Sequence, residues 1–454
     1  MKLSIFLLLL VLAGRPVLAF QTTSGAANAV NALGIDLLHQ TAQPGANALL
    51  SPYSIQLALV MTCAGADGQT RDEMVRVLHY PKDEDQLNRS FADLQTDVNG
   101  IMSRDSARAQ RDFEQYKKQI NYNAELLGAD GEKYRSTRLS YLNSLTNSVL
   151  TLTTVNRLYG QSGYDIRPAY LKLLEDNWQA SFGSVDFVHN ASGITAQINS
   201  WVGDQTHGRI QDMIPPGALD WLTRLVVVNA IYLKAPWLHT FSDERTRPGP
   251  FHLSDGTVIQ VPTMSEPPEE TFMMGYAKRG SHWGFLGRSY TILAIPYKCP
   301  ELQFVILMPD RCNGLPAFEA SLTPEILAGC TNLPSREVDL SLPKFKVEPP
   351  ALSLVKALQA LGMENAFGTN ANFNRTAVFR PGEGLYISGI FHKTFLQLDE
   401  EGTEASAGTG LVRGTYGSDT NIPVQVRIDR PFLFMIQQKT TGACLFLGHI
   451  NDPR

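Results

Sequence analysis

Nine histidines, His39, His79, His189, His207, His239, His252, His282, His392 and His449, are scattered over the 454 residues. A zinc peptidase needs two of them one helical turn apart around a glutamate, and no HExxH occurs. A serine nucleophile on a strand-to-helix elbow needs GxSxG; the nearest match, GQSGY at 160–164, has the wrong glycine spacing. P-loop and dinucleotide-binding glycine patterns are absent. The cysteines are Cys63, Cys299, Cys312, Cys330 and Cys444, with no CxxC and no Cys/His spacing suited to zinc. The sequence therefore calls for no metal, no cofactor and no catalytic residue.

The stretch that could do chemistry of another kind is EEGTEASAGTG, residues 400–410. Laid out as a strand, one face holds Thr403, Ala405, Ala407, Thr409 and Leu411, all small or apolar. The other holds Glu404, Ser406, Gly408, Gly410 and Val412. As a strand it buries its first face without stranding a charge. As a loop it has glycine enough to move and no bulky residue to hold it down. It is written for two environments, solvent and core.

The elements that must position this segment read as helices first and strands later, which points to one large α+β domain. SPYSIQLALVMTCAG (51–65) opens with Ser-Pro and is apolar on nearly every side, the mark of a buried helix. Residues 165–180 form a second candidate helix around Tyr170, Leu171 and Leu174. Strands are expected at 222–233, 290–297, 301–309, 338–347, 430–438 and 443–450, several apolar on both faces and so covered on both sides. The second and third form a hairpin across Lys298, Cys299 and Pro300. Residues 97–145 stand apart as a polar insertion of mixed charge. Within it DFEQYKKQINYNAELL (112–127) reads as an amphipathic helix. The insertion reads as a solvated surface segment; the functional alternative is a docking site for a polyanion or protein cofactor, and mixed signs argue against strong polyanion binding.

The N-terminus, MKLSIFLLLLVLAGRPVLAFQ, has a positive residue, a short apolar run and small residues at Val17 and Ala19. It reads as a secretory signal peptide, residues 1–19, ahead of a single domain spanning 20–454. Removing Lys2 and Arg15 takes the formal net charge from −5 to −7. A mildly acidic exported chain has no global drive toward nucleic acid or an anionic membrane. Behind such a leader the sequons at Asn88, Asn190 and Asn374 become candidate glycosylation sites. Five cysteines are too few for a disulfide scaffold, and the odd count leaves a free thiol. Cys63 and Cys444 sit in apolar runs and read as buried; Cys312 and Cys330, flanking a short helical segment, are a candidate pair.

LDEEGTEASAGT (398–409) resembles the hinge of the reactive-centre loop of a serpin. The likeness extends in order through NALLSPYSIQLALVMTCAGADGQTRDEM (47–74), TVNRLYG (154–160), INSWVGDQTHGRI (198–210), VVNAIYLKAPWLHTF (227–241), LPKFKVE (342–348), LGMENAF (361–367), ISGIFHKTFLQLDEEGTEA (387–405), RPFLFMI (430–436) and LFLGHINDP (445–453). It covers nearly the whole chain after the leader.

The resemblance implies three β-sheets with about eight or nine helices and an exposed reactive-centre loop at 400–423. The implied activity is suicide inhibition of an extracellular serine protease by a monomer. The protease forms an acyl-enzyme with the loop, which then inserts into the largest sheet as a new strand. Glu400, Gly402, Thr403, Ala405, Ala407 and Thr409 are the implied hinge. Ser51, Ser54, Asn229 and His392 are the implied polar cluster where the sheet parts. Trp237 and Lys344 are the implied loop-entry residues, with Lys344 pairing Glu400. In inhibitory members the scissile residue lies about seventeen positions along, counted from the glutamate before the hinge. That gives the bond Tyr416–Gly417 and a chymotrypsin-like target. Arg413–Gly414 is the alternative and would suit a trypsin-like protease. A non-inhibitory member acting as a carrier is the other alternative; a hinge free of proline and bulky residues argues for inhibition.

Overall fold

The computed structural model describes residues 25–145, 150–266, 271–280, 289–403 and 422–454. Ten α-helices occur among them, with sheets of ten, eight and two strands, close to the expected α+β architecture.

Helix Pro52–Ala64 begins where the sequence places it. Ser51 is extended (φ −115°, ψ 97°) and its hydroxyl accepts from the amide of Ser54, while Pro52 supplies the first helical residue. All 13 of its residues are buried, because it runs beneath the eight-stranded sheet. Helix Pro168–Trp178 is shorter than expected, since Asp165–Ile166 pairs instead as a strand and Pro168 fixes the first turn.

The polar insertion is almost wholly helical. A single helix of 43 residues, Glu84–Leu126, is capped by Asp83, whose carboxylate accepts from Gln86 N–H at 2.7 Å. Leu87, Phe91, Leu94, Val98 and Ile101 recur every three or four residues and bury one stripe against the body. Beyond Ile101 its only buried residue is Ala124, which meets the returning helix Gly131–Leu145. A Cβ on Gly131 would lie 2.0 Å from the Ala124 carbonyl oxygen, so glycine closes this helical hairpin. The expected helix at 112–127 is thus one stretch of a much longer one. Of its basic residues, Arg104 is held by Glu301, Arg108 by Asp105 and the Lys298 carbonyl, and Arg135 by Glu132.

The expected hairpin forms as Tyr290–Pro296 against Leu302–Pro309 in the ten-stranded sheet, beside Phe432–Gln438 and Cys444–Ile450. The expected strand at 338–347 breaks at Lys344, whose amide turns to the Pro262 carbonyl. Ser335–Pro343 stays in the ten-stranded sheet, and Phe345–Val347 joins the eight-stranded one. The strand expected at 222–233 runs instead over Leu225–Pro236, because Asp220 to Thr223 form a turn. Thr151–Gln161 is an 11-residue strand that the sequence pattern does not announce, and its burial does not alternate. Cys312 and Cys330 do not pair; all five cysteines are free thiols. Burial pushes Cys63, Cys299 and Cys330 up to about 12, so these thiols are inert.

The eight-stranded sheet positions the hinge. Its central strand, Leu225–Pro236, pairs antiparallel with Thr151–Gln161 on one side. On the other it pairs in parallel with Ile387–Thr394, from Leu225 opposite Ile387 to Ile231 opposite Thr394. Helix Phe187–Gln205 covers one face, packing Ile194, Ile198 and Val202 with Val226, Val228 and Ala230.

Candidate functional site: a forked sheet and its polar seam

Above Thr394 the chain continues as strand Leu396–Leu398, but this no longer touches the central strand. Gly402–Thr403 lies between them, with Thr403 paired to Leu398 on one side and Ala235 on the other. The sheet is therefore zipped shut up to Ile231 and forked above it, and the hinge occupies the mouth of the fork.

Residues 399–402 make the turn that feeds the hinge in. The Asp399 carboxylate accepts from the amides of Glu401 (3.0 Å) and Gly402 (3.3 Å). Burial raises the Asp399 carboxyl above its ordinary value, although both amides act against the shift. Glu400 is buried, with its two carboxylate oxygens held by Lys344 Nζ and by the Thr246 hydroxyl, each at 2.5 Å. Burial alone would raise Glu400; these two partners outweigh it and hold the carboxyl below its usual range. Gly402 has φ +152°, and a Cβ there would lie 2.2 Å from the Ala235 carbonyl oxygen. Both facts require glycine.

Trp237 braces the same turn. Its amide donates to the Glu401 carbonyl (2.9 Å) and its indole N–H to the Asp399 carbonyl (3.0 Å). Its ring stacks on Tyr297 at 4.7 Å, interplanar angle 6°. The Tyr297 hydroxyl in turn bonds the Thr403 hydroxyl, satisfying two buried polar atoms at once. The expected loop-entry residues Trp237 and Lys344 and the expected hinge residues Glu400, Gly402 and Thr403 are brought together. Asp399, Tyr297 and Thr246 were not foreseen; an acid three residues ahead of a glycine is a signal for Asp399, and the other two had none.

Below the fork, Ser51, Ser54, Asn229 and His392 converge, all fully buried. The Ser51 amide donates to His392 Nε2 at 3.0 Å. His392 Nδ1 must then carry the proton, which it donates to Asn229 Oδ1 at 2.5 Å. The Ser54 hydroxyl donates to the same oxygen at 2.9 Å, and the Ser51 hydroxyl to the Leu445 carbonyl at 2.6 Å. Asn229 Nδ2 reaches Asn156 Oδ1, adding a residue the sequence did not single out. Burial without a countercharge lowers His392 to about 3, so the ring is neutral. Asn229 and His392 sit directly opposite each other across the parallel seam. The network therefore crosses the line along which the two strands would part, and pins both to the helix beneath.

Ala405, Ala407, Thr409, Arg413, Gly414, Tyr416, Gly417 and the leader 1–19 lie outside the described residues. Of the sequon residues, Asn190 and Asn374 are exposed and Asn88 is half-buried on the long helix. Asn190 Oδ1 accepts from Gly193 N–H, so it caps the resumption of a kinked helix. No helix among the described residues is long and apolar enough to cross a membrane.

The serpin (serine protease inhibitor) family pattern matches residues 28–453. Serpin B10 of Otolemur garnettii is 33% identical over 417 residues, covering 90% of this chain and 94% of the relative. The leukocyte elastase inhibitor of Bos taurus is 30% identical, covering 94% and 99%. The crystal structure of Serpin48, described as a highly specific serpin of the insect Tenebrio molitor, superposes with a TM-score of 0.68 at 28% identity, covering 94% and 98%. A match of that extent, with a fold that superposes over nearly the whole chain, makes this protein a member of the serpin (serine protease inhibitor) family.

Proposed function

We propose that this serpin is an exported suicide inhibitor of a chymotrypsin-like serine protease, with Tyr416–Gly417 as the scissile bond. The observation that carries the reading is the fork: Thr403 is already a rung between Ala235 and Leu398, in line with the closed parallel seam below. A strand entering from this point runs antiparallel to both neighbours. It would replace one parallel ladder by two antiparallel ones, a gain in backbone hydrogen bonds. The inward hinge residues Ala405, Ala407 and Thr409 can follow Thr403 into the core at little desolvation cost.

The covalent step balances simply. The protease serine oxygen bonds to the Tyr416 carbonyl carbon, and the Tyr416–Gly417 bond breaks. The serine proton passes through the protease's own base to the Gly417 nitrogen, which leaves as a new amino terminus. Hydrolysis of the ester would free the enzyme; insertion of the loop competes by pulling the enzyme away and distorting its active site. One-to-one continuation of the Thr403–Ala235 register would set Arg413 opposite Leu225, where the central strand begins, so a scissile bond at Tyr416 leaves enough loop to pair along the full length of Leu225–Pro236.

Incubation with chymotrypsin and with trypsin, followed by denaturing electrophoresis and mass spectrometry of the released C-terminal peptide, tests the reading. An SDS-stable complex with chymotrypsin and a peptide beginning at Gly417 is expected. Clean cleavage with no complex would sink inhibition and favour a carrier role; a peptide beginning at Gly414 would move the bait to Arg413. Amino-terminal sequencing of protein recovered from culture medium tests export and removal of residues 1–19, and deglycosylation tests Asn88, Asn190 and Asn374. Heparin titration tests the polyanion role of residues 97–145.

A further inference from the structure

The long helix Glu84–Leu126 climbs toward the fork. Gln95 Nε2 donates to the Trp178 carbonyl at 2.9 Å. Two turns on, Met102 Sδ accepts from the Leu152 amide at 3.1 Å, and Leu152 pairs with Leu233 of the central strand. Arg104 then reaches the Glu301 carboxylate, and Arg108 the Lys298 carbonyl at 2.7 Å. Tyr297, the residue before Lys298, bridges to Trp237 and bonds the Thr403 hydroxyl. Only Tyr297 and Lys298 therefore stand between the helix and the hinge. Beyond Arg108 the helix runs about 27 Å further to Leu126. Over that length its side-chain hydrogen bonds to described residues stay within the hairpin: Gln110 to Glu114, Gln119 to Asn123 and Asn123 to Tyr134. The hairpin is thus a preformed arm that leaves the body at the hinge end.

Near the tip of the arm Tyr116, Tyr122, Leu126 and Leu127 are 59%, 59%, 70% and 49% exposed. Four large side chains presented together on a segment that buries almost nothing are the mark of an interaction surface. Tyr122 and Leu126 lie one turn apart and form a continuous patch. We propose that the arm is an exosite for the attacking serine protease, its tip seating on the enzyme's flank in the encounter complex, before any bond is cut. The proposal rests on the inhibitory reading above and adds a second contact to it. Geometry names the occupant. A protease domain of roughly 230 residues is about 45 Å across. Seated on a loop that leaves the body at Thr403, beside the base of the arm, such a domain is wider than the arm is long and falls within its reach. Tyrosines are favoured anchors at interfaces, and a formed helix presents them without the entropy cost of ordering a loop. Lys117 and Lys118 share the arm with Glu114 and Glu125, so recognition falls to the aromatic and apolar tip rather than to net charge. The enzyme surface that fits is an apolar patch beside its cleft.

The quadruple variant Tyr116→Ser, Tyr122→Ser, Leu126→Ser, Leu127→Ser, in the full chain and with chymotrypsin as the probe, tests this. All four side chains are exposed, so the thermal midpoint should stay at the wild-type value. The second-order rate of complex formation should fall on the order of tenfold. The stoichiometry of inhibition and the first residue of the released peptide should not change, because bait and hinge are untouched. A wild-type rate in the variant overturns the exosite while leaving inhibition intact. Absence of any wild-type complex overturns both. A second measurement needs no variant: oxidative footprinting of Tyr116 and Tyr122 in wild-type protein, alone and with chymotrypsin whose nucleophilic serine has been replaced by alanine. Protection of both tyrosines by the inactive enzyme is expected. Equal labelling with and without it overturns the inference. So does sedimentation that shows the free inhibitor as a dimer which the variant dissolves, since the patch then belongs to a second copy of the chain.

Discussion

Lys344 Nζ lies 2.5 Å from Glu400 Oε2, joining the break between two sheets to the turn that feeds the hinge. Glu400 is buried and Lys344 partly exposed, so the pair gives little net stability, yet breaking it leaves a carboxylate in the core. The lysine thus guards the fork. Lys344→Met should lower stability by about 1–2 kcal/mol. It should also speed uptake of a synthetic peptide matching residues 403–414 into the seam. Denaturant midpoints and native-gel shifts check the two effects; a loss of stability without faster uptake would confine the pair to a structural role.

Asp399 makes the opposite contribution. Its folded carboxyl is raised by burial, so folding favours the neutral form. The stability it contributes is complete below the ordinary aspartate range, about 3.9, and is lost as pH rises through the raised folded value. Asp399→Asn keeps an oxygen for the Glu401 and Gly402 amides without the charge. The variant should be more stable than wild type at about pH 7.5 and indistinguishable at about pH 3.5. Urea midpoints at the two pH values decide it.

His392 turns the polar seam into an acid-sensitive one. It is neutral in the fold, at about 3, against about 6.5 in an unfolded chain. A lowered folded value means that its contribution is fully present above about pH 6.5 and declines as pH falls toward the folded value, by about 1.4 kcal/mol per unit at most. His392→Gln should be less stable than wild type at neutral pH, because it disturbs the bonds to Ser51 and Asn229. The deficit should shrink steadily as pH is lowered to about 5. A deficit constant with pH would show that the ring does not titrate as a buried neutral imidazole.

What the sequence could and could not disclose follows from the physics of the fork. Trp237, Lys344, Glu400, Gly402 and Thr403 were legible because each stands in an ordered run of family-like motifs, and Gly402 because no other residue tolerates its backbone. Tyr297 and Thr246 were not, because they reach the hinge through pairings between segments more than 100 residues apart. The break at Lys344 was equally hidden: Ser335–Pro343 and Phe345–Val347 carry strand-forming residues without pause, and only the divergence of two sheets separates them. The long helix at 84–126 was half legible. Its buried stripe shows the helical period, whereas its second half buries almost nothing and reads as polar insertion. The assignment of Cys312 and Cys330 as a pair failed because spacing around a helix does not fix the direction of two side chains.

Thr403 offers the sharpest test of insertion itself. It is 1% exposed, between Ala235 and Leu398, with its hydroxyl on Tyr297. Arginine there would have to bury a charge in a packed sheet or swing the hinge out into solvent; the second is far cheaper. Thr403→Arg should therefore still be cut by chymotrypsin but yield no SDS-stable complex, the stoichiometry shifting wholly to the substrate route. The companion Thr403→Ser keeps size and hydroxyl and should form complex as wild type does. Persistence of complex in Thr403→Arg would show that the strand enters the sheet by a path other than the fork.

The choice of protease is a separable property, because the bait is read before insertion begins. Tyr416→Arg should move complex formation from chymotrypsin to trypsin, whose primary pocket carries a carboxylate, with a change in rate of at least 100-fold in each direction. Arg413→Ala should leave the chymotrypsin rate within about twofold of wild type, because Arg413 would meet no pocket that selects it. The two substitutions together separate the alternatives by kinetics alone. If Arg413→Ala abolishes a trypsin complex that Tyr416→Arg leaves unchanged, the bait is Arg413. The inserted strand then ends opposite Leu225, three residues earlier than a cut at Tyr416 would allow. A shorter strand pulls less far, so such an inhibitor should release active enzyme faster than one cut at Tyr416, and the release rate becomes a measure of strand length.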